Sequence, residues 1–347
     1  MKDRILDALK SFGIPRIIIV LFLIGLWITA SAVGIPFSDL LYDCVVRTGM
    51  WVILVLAMLP GIRCGIGLNF GLSIGILAGL VGMLVSIETN FSGFAGFLMS
   101  IVFAMPVAVL FGYLYGMLLN RVKGSEMMVS TYTGFAMVSL MSIGWLVLPF
   151  NAPEMAWPIG VGVRVTISIE RRFSQILNNF WSFRIGNLAI PTGLLLFIAF
   201  VCFIYWFYFR TRSGSAMLAA GDNPRFAESC GIPVDRYRIM GTVMSTVAGA
   251  VGIVVYAQSF GFIQLYQAPL MMGFPAVACI LIGGATIKKA TVFNVILGTF
   301  LFQSILVTAQ PVANEIAGSI SNVAEITRLI IQNGIILYAL AQTSTQG

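Results

Sequence analysis

The chain has 347 residues, 59% of them hydrophobic and 10% charged, far below the ~25% charged residues of a soluble domain. That composition excludes a soluble globular protein and points to an all-α, polytopic membrane protein, with residues 1–347 forming one transmembrane domain. The formal net charge is +7 and there is no histidine. Imidazole metal ligands, imidazole bases and histidine-based triads are therefore excluded, and in a polytopic protein basic residues held on the cytoplasmic side explain the charge before nucleic acid does.

Residues 1–14 begin MKDRILDALK, basic and amphipathic, and read as a retained cytoplasmic lead-in in place of a signal peptide. At about 20 apolar residues per crossing, spans are expected near 15–34, 48–63, 66–87, 96–120, 128–149, 189–209, 238–259, 270–287, 290–308 and 327–343. That makes about ten. Placing the N-terminus inside puts 14 of the 20 Lys and Arg on the cytoplasmic side. Outside fall Arg47, Arg164, Arg171, Arg172, Arg184 and Arg328, so both termini are expected in the cytoplasm of a bacterial inner-membrane protein. The five cysteines, Cys44, Cys64, Cys202, Cys230 and Cys279, form no C-x-x-C pair and suit small apolar fillers.

The first broken region, LPGIRCGIGLNFGLSIGILAGLVG, surrounds Asn69, Phe70 and Ser73 with glycines. Backbone freed by such a break survives at membrane depth only where protein or water satisfies it, and interrupted spans point to a transport pathway. Gly75, Gly79 and Gly82, about one turn apart, instead suit close helix packing. Few ionisable residues lie within the spans, Glu126 standing near an edge, which disfavours coupling to protons or sodium. A pathway of hydroxyls, amides and aromatics would suit a neutral polar solute. The candidates are Asn69, Phe70, Ser73, Thr131, Tyr132, Thr133, Gln258, Phe262 and Gln264, with Gly283 and Gly284 at a second break beside Lys288 and Lys289.

Residues 150–188 are too polar to cross and form the longest external segment, expected as a structural cap or a docking surface. Residues 210–238 form the longest cytoplasmic loop and the richest in arginine. Within it GDNPRFAESCG carries helix signals: Asn223 as cap, Pro224 at the first position and Gly231 as the left-handed end. About two turns would not persist alone in water. No paired carboxylates, nucleophile elbow or phosphate-cradling loop is present, so catalysis has no residues to carry it.

The run from Arg210 to Gly252 resembles the permease subunits of bacterial ABC importers for ribose and other simple sugars, nucleosides and branched-chain amino acids. The resemblance rests on Ala220, Gly221, Asn223, Pro224, Ala227, Gly231, Ile232, Arg236, Ala248, Gly249 and Gly252. Gly112, Gly116, Asn120 and Arg121 extend it backward, and Gly283, Gly284 and Gly298 extend it forward. Lys288 and Lys289 stand where many sugar permeases carry a second glycine pair, and GIRCGIGLNFGLS lacks an acidic residue usual in the early span. The resemblance implies a type II ABC importer permease-like fold with broken spans and a second permease subunit. It also implies an extracytoplasmic solute-binding protein, and an ABC ATPase subunit that binds ATP and Mg and receives a coupling helix. Gly221, Asn223, Pro224, Arg225, Phe226, Ala227, Glu228 and Gly231 would form that element, with Phe226 as apolar anchor. The solute expected is a simple sugar of ribose or galactose type, or a nucleoside. The rivals are a secondary transporter that works without an ATPase and a membrane enzyme acting on a lipid-linked substrate.

Overall fold

A computed structural model describes residues 14–156, 162–185, 188–317 and 323–344; the basic lead-in before residue 14 lies outside them. The chain opens with α1 (Ile14–Ala32) and α2 (Phe37–Leu56), which continues past Ala57 as α3 (Met58–Arg63). Residues 64–71 then run without helix, mostly buried, into α4 (Leu72–Glu88). The long helices α5 (Gly93–Arg121) and α6 (Glu126–Val147) follow. Residues 150–190 hold β1 (Thr166–Ser168), α7 (Ile176–Asn179), β2 (Phe183–Ile185) and β3 (Leu188–Ile190). Next come α8 (Thr192–Tyr208), α9 (Arg212–Asp222), α10 (Pro224–Ser229) and α11 (Val234–Phe260). The chain closes with β4 (Phe262–Gln264), α12 (Gln267–Met271), α13 (Gly273–Ile282), α14 (Val292–Ala317) and α15 (Val323–Ser344).

Among the described residues five helices are long and apolar enough to cross a membrane, Phe37–Arg63, Gly93–Arg121, Glu126–Val147, Val234–Phe260 and Val292–Glu315. A sixth results if α8 and α9, bent by 73°, form one span. Arg16–Ala32, Leu72–Glu88 and Gln267–Ile282 are shorter apolar helices. The expected multi-pass helical protein is therefore present at this coarser level.

The all-α expectation is corrected to mostly helical, because two two-stranded antiparallel sheets form. β1 pairs with β4, Thr166 opposite Gln264, and β2 pairs with β3. Alternation of apolar and polar residues in VRVTISI, with β-branched side chains, is the local signal for β1. The polar segment closes over one end of the bundle. There Arg172 Nε donates to Glu154 at 2.8 Å and Nη2 to Asn90 at 3.0 Å, while Glu88 accepts from the backbone amides of Asn151 and Ala152.

α11 is the central helix, packed against α2, α3, α4, α5 and α9. Small residues set its closest approaches. A Cβ on Gly75 would lie 2.6 Å from the Thr246 carbonyl oxygen, and one on Gly79 would collide with Ile253 and the Ala250 carbonyl. Gly82 gives the same room to α5, where a Cβ would lie 2.6 Å from that of Ala104. These three glycines serve packing, as their spacing predicts. On the outside, α5, α6 and α8 expose large apolar side chains such as Val102, Leu110, Leu140, Ile143, Phe200 and Phe203, a surface suited to lipid.

Candidate functional site

At one end of the bundle α8 bends into α9, and α9 leads to α10. The Thr211 hydroxyl caps α9 by accepting from Gly214 N at 3.2 Å. Asn223 Oδ1 caps α10 by accepting from Phe226 N at 3.1 Å, and Pro224 takes the first helical turn, where its missing N–H costs nothing. Gly231 ends the element at φ 78°. Ala227 is the buried seat, packed with Ala220 and Val234, whereas Phe226 is 63% exposed between exposed Arg225 and Glu228. The expected helix is thus present and presents an aromatic ring outward.

Gly221 joins this element to the broken span. A Cβ on Gly65 would fall 2.9 Å from Gly221 Cα, so two backbones touch where neither residue has a side chain. Beside them Arg63 Nε donates to the Ala290 carbonyl at 2.5 Å, and its guanidinium lies 5.4 Å from the Phe209 ring centroid. Nearby, Arg238 Nη2 pairs with Glu126 Oε1 at 2.5 Å, with side chains 7% and 13% exposed. Arg238 Nε also donates to Asn120 Oδ1 at 2.9 Å. Glu126, an edge acid in the sequence, is therefore one half of a buried ion pair tying α5, α6 and α11.

Deeper in the bundle, Asn69 holds the non-helical linker. Its Nδ2 donates to Ser245 Oγ at 2.8 Å, while Oδ1 accepts from Gly71 N at 3.0 Å and from the Tyr115 hydroxyl at 2.8 Å. Ser245 Oγ in turn donates to the Ala57 carbonyl at 2.6 Å, at the step between α2 and α3. Ser73 Oγ donates to the Pro269 carbonyl at 2.6 Å, and the Phe70 ring lies 5.5 Å from that of Phe274. Freed backbone at membrane depth is satisfied by side chains, as it must be.

The other candidate pathway residues are dispersed. Thr131 and Thr133 donate to Met127 and Val129 carbonyls on their own helix, and Tyr132 is exposed. Gln258 is fully buried, accepting from Leu177 N at 3.2 Å and donating to Ser259 Oγ at 2.6 Å. Phe262 is exposed, its ring edge-on to Phe260. Gly283 packs under Asn294 and Gly298, and Gly284 lies beside the Arg16 guanidinium.

Gly284 lines a cavity of ≈ 510 Å³ beside Lys288 and Lys289, and Gln264 lines one of ≈ 470 Å³ at the opposite end of the bundle from α10. α2, α11, α12, α13, α14 and α15, with β4, line the latter. Trp51, Tyr256 and Phe260 form one wall, with ring centroids 5.8 Å and 5.5 Å apart in succession. Gln267, Gln303, Gln310 and Gln332 add amides, and Arg47, Glu325 and Arg328 add charge. Arg328 Nη2 and Nε donate to the two Glu325 oxygens at 2.6 and 3.1 Å. Sequence reading passed over Arg47, Gln303, Glu325 and Arg328. Only Gln303, an amide inside the apolar run LFQSIL, carried a local signal.

The bundle thus carries a partly polar cavity at one end and an outward-facing capped helix at the other. The chain belongs to the family described as branched-chain amino acid transport system / permease component, whose model matches residues 40–340. It is 30% identical over 142 residues to a nucleoside ABC transporter permease protein of Lactococcus lactis subsp. cremoris (strain MG1363), covering 40% of this chain and 45% of that protein. To an autoinducer 2 import system permease protein of Photorhabdus luminescens it is 26% identical, over 46% of this chain and 49% of that one. A fructose import permease protein of Bifidobacterium longum (strain NCC 2705) is 25% identical, over 75% of this chain and 70% of its own length. The chain thus spans about half the length of the first two relatives.

Proposed function

We propose that the chain is the transmembrane permease subunit of an ATP-driven ABC importer in a bacterial inner membrane, with about ten spans and both termini in the cytoplasm. A second copy or a sister permease completes the pathway, and an extracytoplasmic solute-binding protein delivers a small neutral polar solute, either a simple sugar or a nucleoside. The chain does no chemistry of its own. ATP and Mg belong to a separate ATPase subunit, whose closing rocks the spans between two states.

The observation that carries this reading is α10. A helix of 6 residues, capped at both ends and seated on Ala227, exposes Phe226 to solvent. Burying one phenylalanine in a partner's groove contributes about 1.5–3 kcal/mol, and Arg225 and Glu228 would fix its orientation. Phe226→Asp should weaken association with the ATPase subunit roughly 10- to 100-fold and lower uptake with it. The permease should keep its fold, since the ring contributes little to its own core. Normal association and normal uptake in a folded variant would end the coupling assignment.

A further inference from the structure

We propose that the cavity between α2, α11, α12, α13, α14 and α15 is a solute-holding site inside a single permease chain, with Gln303 and Arg47 donating to the solute's oxygen atoms. The inference rests on the transport reading above and names where the solute sits and what it offers.

Gln303 is the starting point. It is 4% exposed, halfway along α14, and it lines the cavity, yet its Nε2 has no hydrogen-bond partner among the described residues. That amide nitrogen is sealed from the cavity surface in this structure; buried polar groups are nearly always paired, so it calls for an acceptor that a turn of the side chain toward the cavity would supply. Arg47 supplies a second source of donors. It reaches the Tyr256 hydroxyl from α2 and interacts electrostatically with Asp43 one turn earlier, although no carboxylate comes within ion-pair distance of it among the described residues. A guanidinium carries five N–H donors in a fixed fork, so that contact leaves others free. Arg328, by contrast, is engaged by Glu325 and Gln332. The open hydrogen-bonding capacity of the cavity therefore includes these donors, beside the amides of Gln264, Gln267 and Gln310, which both donate and accept.

Beside Arg47 the wall is apolar, the succession of Trp51, Tyr256 and Phe260 rings. Aromatic rings in one cavity with planar amide and guanidinium donors suit a polyhydroxylated ring, its C–H face on the aromatics and its oxygens toward Gln303 and Arg47. A volume of ≈ 470 Å³ lies within the usual range for small-molecule sites.

The test uses the complete transporter in liposomes, with its ATPase and solute-binding protein, and D-ribose, D-galactose and uridine as probes. In a Cys230→Ser background, Gln303→Cys should react with a membrane-impermeant methanethiosulfonate added outside, and at least one probe should slow that reaction several-fold. Gln303→Leu should raise the KM for uptake of that solute roughly tenfold, the loss of one hydrogen bond from a buried donor, with partial rescue in Gln303→Asn. Failure to react, protection by none of the three probes, or unchanged uptake in Gln303→Leu would overturn the assignment. The two readings fail separately. If Phe226→Asp leaves ATPase association and uptake intact, the coupling assignment that carries the transport reading falls. If that association is lost while Gln303→Leu transports normally, only the cavity assignment falls.

Discussion

Asn69 meets three partners at the place where the chain leaves helical form, and a neighbouring hydroxyl covers the Ala57 carbonyl at the step before it. Replacing Asn69 with leucine would strand Ser245, Tyr115 and the Gly71 amide in a buried site, at about 1–3 kcal/mol for each group left unpaired. The thermal midpoint of purified Asn69→Leu should fall clearly, and an unchanged midpoint would remove Asn69 as the holder of the break. A second residue-scale case is the buried pair of Glu126 and Arg238. Arg238→Met alone should destabilise by about 3–5 kcal/mol, whereas Arg238→Met with Glu126→Met should recover much of the loss. A double-mutant cycle by thermal unfolding gives the sign of that coupling. The importance of Asn69 was legible in the sequence because an amide stood among glycines. Its partners were not, since Tyr115 and Ser245 lie 46 and 176 residues away.

Elements whose signals are local were the ones a reader of the sequence could place. α10 declares itself through Asn223, Pro224 and Gly231 within nine residues, and the structure has the helix and its caps in those positions. β1 escaped notice because its partner β4 lies beyond the whole of α11, and a three-residue strand without a visible partner reads as loop. The spacing of Gly75, Gly79 and Gly82 carried information about helix contact that the α4–α11 and α4–α5 interfaces bear out. Packing at that closeness tolerates no added methyl group. Gly79→Ala should destabilise by about 1–3 kcal/mol, while Gly25→Ala on α1, where nothing lies within 4 Å of an added Cβ, should leave the thermal midpoint the same or slightly raised, since alanine favours the helix. Equal midpoints for the two variants would contradict the close-packed interface.

At the scale of the molecule, α11 spans the distance between the two sites. Its 27 residues run from Val234, beside α10, to Phe260 at the cavity wall, about 40 Å at 1.5 Å per residue. The cavity was not legible in the sequence because its residues come from six helices and a short strand, and none forms a motif. A multi-pass protein with a polar device at one end was legible, since composition and one short capped segment suffice for that. Phe226→Asp and Gln303→Leu should therefore affect different measurements, ATPase association for the first and solute KM for the second. The contact of Gly65 with Gly221 has a consequence in the language of suppressor genetics. A substitution that crowds a core is often relieved by trimming its neighbour, but here both neighbours are already glycine. Lesions at either position should then yield no compensating change at the other, and any revertants should map to the segments around Arg63 or α9 that can move the two backbones apart.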